Sequence, residues 1–393
     1  MLGAAAILLI TQGARQSLGL FVAPLDRDTG LGIASVSFAF AVSQFMWGFA
    51  QPFFGALATR WGTRRVLVSG ALLVALGTAL TPFARTSATL TLSLGIIAAV
   101  GAAAGSFAIL IGGIARYLPE ERRAFAAGFI NAGASIGQFV FAPVLQWGID
   151  AYGWVPTMFG LAATALLAIP LSLRLTADLA SAPVAAGAGT GQRLGEQLRR
   201  ALGERSYLLL HLGFFTCGFH VAFLITHLPG QVALCGLAPA VSAAALALIG
   251  LFNIAGSLAA GELSQRWKRR ELLVAIYAAR GVVMGGFMLL PKTTETVLVF
   301  SALMGILWLS TVPPTVALVA RNFGTRWLAT MFGLVFLGHQ IGGFTGAWLG
   351  GLIFDRTGSY DLMWIIGILA AVFAALIHMP VKDPAPAPKP ATA

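Results

Sequence analysis

Apolar residues fall along this chain in blocks of about twenty, each closed by a short stretch of arginine, glycine, proline or acid. A helix of about 20 apolar residues crosses the hydrocarbon core of a bilayer. Twelve such blocks are read, at residues 1–23, 33–57, 66–85, 88–114, 124–148, 155–174, 207–229, 239–261, 271–291, 296–319, 328–352 and 362–379. The pattern predicts an all-α membrane protein with twelve transmembrane helices. It leaves no stretch long enough for a sizeable soluble domain.

Composition agrees with the pattern. Of 393 residues, 58% are hydrophobic and only 10% are charged, against about 25% charged in soluble domains. The net charge of +11 is sorted by side rather than spread. With the N-terminus inside, Arg60, Arg64 and Arg65 fall in the 2–3 loop, and Arg116, Arg122 and Arg123 in the 4–5 loop. The central loop holds Arg174, Arg193, Arg199, Arg200 and Arg205. Arg266, Lys268, Arg269, Arg270, Arg321, Arg326, Lys382 and Lys389 follow on the same side. Only Arg27, Arg85, Lys292 and Arg356 fall on the other side, and Arg15 and Arg280 fall on neither. Lysine and arginine favour cytoplasmic loops, so both termini are expected to be cytoplasmic, and the charge is read as topology rather than nucleic-acid binding. Cys217 and Cys235 lie at different depths and give no disulfide or metal pattern. No cofactor, metal or catalytic motif is read, so the chain is not expected to be an enzyme.

The chain also repeats itself. Shifting it by 205 residues pairs Arg116 with Arg321, Gly128 with Gly333, Gly133 with Gly338, Gly137 with Gly342, Asp150 with Asp355 and Gly153 with Gly358. Composition alone can align glycines, but not arginines and aspartates at the same offset. Two six-helix halves of one orientation follow. Their expected bounds are 1–175 and 207–380, with a cytoplasmic linker at 176–206 and a proline-rich, unfolded tail at 381–393. In the linker, Leu194, Leu198 and Leu202 recur at helical spacing against Arg193, Arg199 and Arg200. That reads as a short helix on the cytoplasmic surface, the alternative being a solvated basic loop. Gly133-x-x-x-Gly137 and Gly338-x-x-x-Gly342 let helices approach closely, either for motion or for static packing.

Two parallel six-helix repeats with the 2–3 loop motif Gly55-Ala56-Leu57-Ala58-Thr59-Arg60-Trp61-Gly62-Thr63-Arg64-Arg65 resemble the major facilitator superfamily. The second copy, from Gly261 through Arg266, follows the same pattern. The gating residues implied are Gly55, Arg60, Gly62, Arg64 and Arg65 with Gly261 and Arg266. Where that family usually has an aspartate, Thr59 and Gln265 stand, so arginines and helix termini are left to hold the halves. The resemblance implies two bundles rocking about a midplane site. Within the superfamily, the first span "GARQSLGLFVAPL" and the fifth span "NAGASIGQFVFAPVLQ" resemble the monocarboxylate transporters and their bacterial oxalate–formate relatives. Arg15 falls where the former carry a lysine implicated in proton and substrate binding. Their eighth-span aspartate and arginine are replaced by Asn253 and Ser257. The expectation is a multi-pass protein of the bacterial inner membrane, acting as a monomer.

Arg15 and Arg280 raise a question of charge. An arginine at membrane depth costs roughly 3 kcal/mol on insertion scales and more in simulations, and it persists when paired or facing water. All 14 acidic residues sit in loops or at span ends. Arg15 is eleven residues from Asp26, about 16 Å of helix. The core therefore carries fixed cations and no fixed anion. A visiting carboxylate fits the guanidinium fork. The alternative is that neutral groups satisfy each arginine, for example Gln12 for Arg15 and Tyr277 for Arg280.

Other polar residues lie at similar depth: Asn131, Gln138, His220, Asn253, His339 and Gln340. Histidine is the one deep side chain that titrates near neutral pH, so His220 or His339 is the candidate proton carrier. The reading is a secondary transporter of a small, monocarboxylate-like organic anion, proton-coupled or exchanging anions. The alternative is efflux of a neutral or cationic drug-like compound, which Arg15 and Arg280 disfavour.

Overall fold

In lipid every backbone donor and acceptor must find its partner within the protein, and helices do this segment by segment. The computed structural model describes residues 1–114, 120–180, 194–323 and 328–383. Six membrane-length helices make the first half: Leu2–Thr29, Ile33–Ala58, Thr63–Phe83, Ser87–Ile111, Gly128–Tyr152 and Trp154–Leu175. The second half holds Arg205–Leu234, Pro239–Arg266, Arg269–Leu289, Thr294–Phe323 and Asp361–His378, with Leu328–Thr357 preceding the last. They are spans 1 to 12 in chain order. No strand occurs among the described residues.

Four of the described spans are interrupted, span 6 only by a turn at Leu167. Span 1 leaves α-helical geometry at Ser17 and passes through a tighter turn, Leu18–Phe21. Span 4 breaks at Gly105–Ser106, and span 10 breaks between Leu307 and Val312. Gly105 and Ser310 are partners in the 205-residue repeat, so the last two breaks are one feature written twice. Pro313 and Pro314 open the second piece of span 10, where proline's missing N–H is best tolerated.

The halves meet along two seams. Span 11 packs against span 2, and span 5 packs against span 8. On the first seam Phe38 lies edge-on to Phe344 and Trp348, and Trp47 to Phe336. The paired glycine motifs serve packing inside each half. A Cβ on Gly137 would stand 2.2 Å from the Leu9 carbonyl of span 1, and one on Gly342 1.9 Å from that of Phe215 in span 7. Neither space accommodates a side chain.

The arginine-rich face carries the loop motif. Gly62 sits at φ +88°, a conformation open to glycine, and Arg60, Arg64 and Arg65 are exposed beside it. Gly55 and Gly261 are half-buried in spans 2 and 8. Arg266 pairs with Glu262 on its own helix at 2.7 Å. Leu194–Leu202 is a helix, and Leu198 packs partly buried against the core. Gln197 and Ala201 are its buried residues, while Leu202 is exposed. Gln197 Nε2 donates to the Phe323 carbonyl at 2.7 Å, so the helix docks through this polar contact together with Leu198 and Ala201.

The expected unfolded tail also begins too early at 381. Val381 is fully buried, and Asp383 accepts the Arg269 backbone N–H at 2.5 Å. Arg116, Arg193, Arg326, Lys389 and the remaining tail lie outside the described residues, as does the glycine–alanine linker.

Candidate functional site

Arg15 closes the first helical piece of span 1, where a cation meets the carbonyl end of the helix dipole. Its Nε donates to Gln12 Oε1 at 3.0 Å and its Nη1 to Gln44 Oε1 at 2.5 Å. The guanidinium lies over the Trp47 ring, 4.1 Å from the centroid. Gln44 and Trp47 sit three residues apart on span 2, hence on one face. Among the described residues Arg15 has no carboxylate partner. Its Nη2 makes no hydrogen bond to them either. Neutral groups and an aromatic face hold the charge without cancelling it.

Arg15 also borders two cavities. One, of about 20 Å³, lies between the halves, lined by Arg15, Phe40 and Gln44 from the first half and Ala222, Thr226 and Ala347 from the second. The other, of about 40 Å³, runs into the first bundle between spans 1, 3, 4 and 6.

From Arg15 a hydrogen-bonded chain crosses the first seam. The Gln44 carbonyl accepts from Gln340 Nε2 at 2.8 Å. Gln340 Oε1 contacts His339 Nδ1 at 2.9 Å. A carboxamide oxygen only accepts, so Nδ1 carries the proton there. His339 is buried between Phe214 and Phe336, near the Cys217 thiol, and its Nε2 makes no hydrogen bond among the described residues.

The second seam holds other expected residues. Asn253 Nδ2 donates to Ser135 Oγ at 2.9 Å, joining span 8 to span 5. Its Oδ1 accepts from Ser257 Oγ and from the Leu309 N–H, both at 3.1 Å. Gln138 is buried in the same seam with Nε2 unpartnered. Asn131 is half-buried nearer the arginine-rich end. These three do not line either cavity beside Arg15.

Two expected site residues lie apart from Arg15. Arg280 does not lack counter-groups. It is fully buried and donates to the Leu307 carbonyl from Nε at 3.1 Å and from Nη2 at 2.6 Å, and to the Trp308 carbonyl. These are carbonyls freed by the break in span 10, and their dipoles supply the negative charge. His220, the repeat partner of Arg15, faces away from the seams. Its Nε2 contacts the Gly367 carbonyl of span 12 at 2.8 Å. Neither residue borders a cavity at Arg15. Among the described residues no cluster suits a metal ion.

Trp47, not singled out from the sequence, lies against the Arg15 guanidinium. Its signal was its spacing from Gln44 on a span packed beside Arg15.

The model of the Major Facilitator Superfamily matches residues 4–347. The chain belongs to the major facilitator superfamily. Among curated relatives of this facilitator, bovine monocarboxylate transporter 13 is 28% identical, covering 94% of this chain and 85% of that one. Mouse monocarboxylate transporter 11 is 27% identical over 94% and 84%. An uncharacterised MFS-type transporter of Escherichia coli, YhjX, is 25% identical over 85% and 83%. A D-xylose–proton symporter superposes with TM-score 0.76 at 14% identity, covering 97% of both chains. This facilitator is thus a multi-pass membrane transporter with the twelve-helix fold expected, and not an enzyme.

Proposed function

We propose that this facilitator carries a small, monocarboxylate-like organic anion across the membrane by alternating access, coupled to protons or to anion exchange. The observation that carries the reading is Arg15, a permanent cation between two cavities at the junction of the halves, held only by neutral groups. A carboxylate placed there supplies the missing charge through the guanidinium fork. The similarity to monocarboxylate transporters 11 and 13 supports the same class.

Gln12, Gln44 and Gln340 complete the anion site, and Asn131, Gln138 and Asn253 form the polar seam that must part when the halves rock. His339 is the proton carrier, because its Nε2, unbonded among the described residues, lies at the end of the hydrogen-bonded chain from Arg15. The arginine-rich face, with both termini, is cytoplasmic by charge, and the protein works as a monomer in the bacterial inner membrane.

Thermal shift of purified protein with acetate, propionate and butyrate tests the reading, together with their flux into proteoliposomes. The expected result is stabilisation of the native protein and none of Arg15→Gln. Equal stabilisation of both, or of neither, overturns it.

A further inference from the structure

We propose that the cavity inside the first bundle is the receptor for the apolar tail of the transported anion and sets its chain length. This inference rests on the anion reading of Arg15. The cavity's one charged liner is Arg15, and the wall beyond it is built largely from alanine and aliphatic side chains, among them Val74, Leu94, Ala98, Ala99 and Ala102. Thr11, Ser43 and Thr78 add hydroxyls to an otherwise apolar wall, and apolar surface gains free energy when it is buried against hydrocarbon. The space therefore suits a short hydrocarbon chain anchored at its charged end.

The internal repeat shows how the cavity arises. Under the 205-residue shift, Ala75, Ala98, Ala99 and Ala102 correspond to Arg280, Leu303, Met304 and Leu307. In the second half Met304 and Arg280 carry bulk at those positions and are fully buried, while Leu307 is partly buried and Leu303 is exposed. The same backbone plan thus encloses filled volume in one half and open volume in the other. A π-helical turn over Thr91–Ala98 widens span 4 at the same place, a distortion frequent at functional sites. Only the half with the open volume presents an unneutralised arginine at its mouth.

The size follows from the volume. At roughly 10–15 Å³ for each water-sized group, a cavity of about 40 Å³ takes about three. A carboxylate on Arg15 with a tail of two or three carbons fills it, and longer chains do not fit.

The test is a binding series of straight-chain carboxylates, acetate to hexanoate, read by thermal shift and by competition in proteoliposome uptake. The native protein is expected to bind about fourfold more tightly for each methylene the cavity accepts, up to propionate or butyrate, and then to lose affinity. Ala102→Leu and Ala99→Met copy the side chains of the other half and are expected to move the optimum to acetate. Leu94→Ala and Val74→Ala enlarge the cavity and are expected to move it to longer chains. Either enlarged variant suffices if its fellow does not fold. Carboxylate binding that depends on Arg15 but keeps one length optimum in all folded variants overturns this inference alone. If no carboxylate binds the native protein, the anion reading fails and this inference with it.

Discussion

Asp355 Oδ2 accepts the backbone N–H of Ala34 at 2.9 Å, so a carboxylate at the end of span 11 caps the N-terminus of span 2 in the other half. The contact lies on the face opposite the arginine-rich loops and joins the two halves there. A carboxylate at a helix N-terminus contributes about 0.5–2 kcal/mol. The second copy differs. The repeat partner of Asp355, Asp150, accepts instead from Gln146 at 2.8 Å. Ala34 corresponds to Ala240 at the offset of 206 that pairs Gly55 with Gly261, and Asp150 bonds within its own helix instead. Among the described residues this latch is found on one seam.

Asp355→Ala is expected to favour the state open on that face by roughly two- to thirtyfold, the population equivalent of that energy. Spin labels at Leu31 and Ser359 report it as a longer distance population. An unchanged distribution removes Asp355 as a latch.

Arg280 predicts the reverse of a substrate contact. Hydrogen bonds to a charged group are worth about 1.5–3 kcal/mol each, and Arg280 makes several to the broken backbone of span 10. Arg280→Met should lower the melting temperature, at a cost of about 2–4 kcal/mol once repacking is allowed for. The KM for transported anion should change little in protein that folds. A large rise in KM at unchanged stability returns Arg280 to the binding site.

On the arginine-rich face Asp383 gathers helix ends of the second half. It accepts the Arg269 N–H and lies 3.5 Å from the Arg269 guanidinium and 3.9 Å from that of Arg321. Lys382 beside it pairs with Glu204 at 3.0 Å. The strap ties the entry to span 9, the end of span 10 and the start of span 7. Asp383 is almost fully shielded, so its loss leaves a buried N–H unpaired, costing about 1–3 kcal/mol. Asp383→Ala should lower the melting temperature and speed proteolysis after Arg321. Unchanged melting and cleavage would show that the strap holds nothing.

Hydropathy exposed the twelve spans because lipid leaves the backbone few choices, and the offset of 205 exposed the halves because one plan was copied. Arg15 stood out by elimination, since no acid lies at its depth. Side-chain direction was not legible. Whether Arg280 faces a passage or a carbonyl depends on helix rotation and on the break after Leu307, for which Pro313 and Pro314 were the signal. The cavity was hidden for a related reason. Ala75, Ala98, Ala99 and Ala102 read as ordinary small residues until the repeat sets them beside Arg280, Leu303, Met304 and Leu307.

The two buried histidines make separable predictions about coupling. His220 spends Nε2 on the Gly367 carbonyl and sits away from both cavities at Arg15. His339 gives Nδ1–H to Gln340 and leaves Nε2 unbonded among the described residues, one glutamine from the carbonyl of the residue that holds Arg15. Protonation at Nε2 strengthens the Nδ1–H donor and pulls on Gln340, and through it on the seam between spans 2 and 11. An anion bound at Arg15 offsets the charge so gained. His339→Gln should therefore abolish uptake driven by a pH gradient while counterflow, which needs no net proton, continues. His220→Gln should retain gradient-driven uptake in protein that folds. If His339→Gln keeps its pH dependence, protons do not travel by this route and anion exchange is the surviving mode.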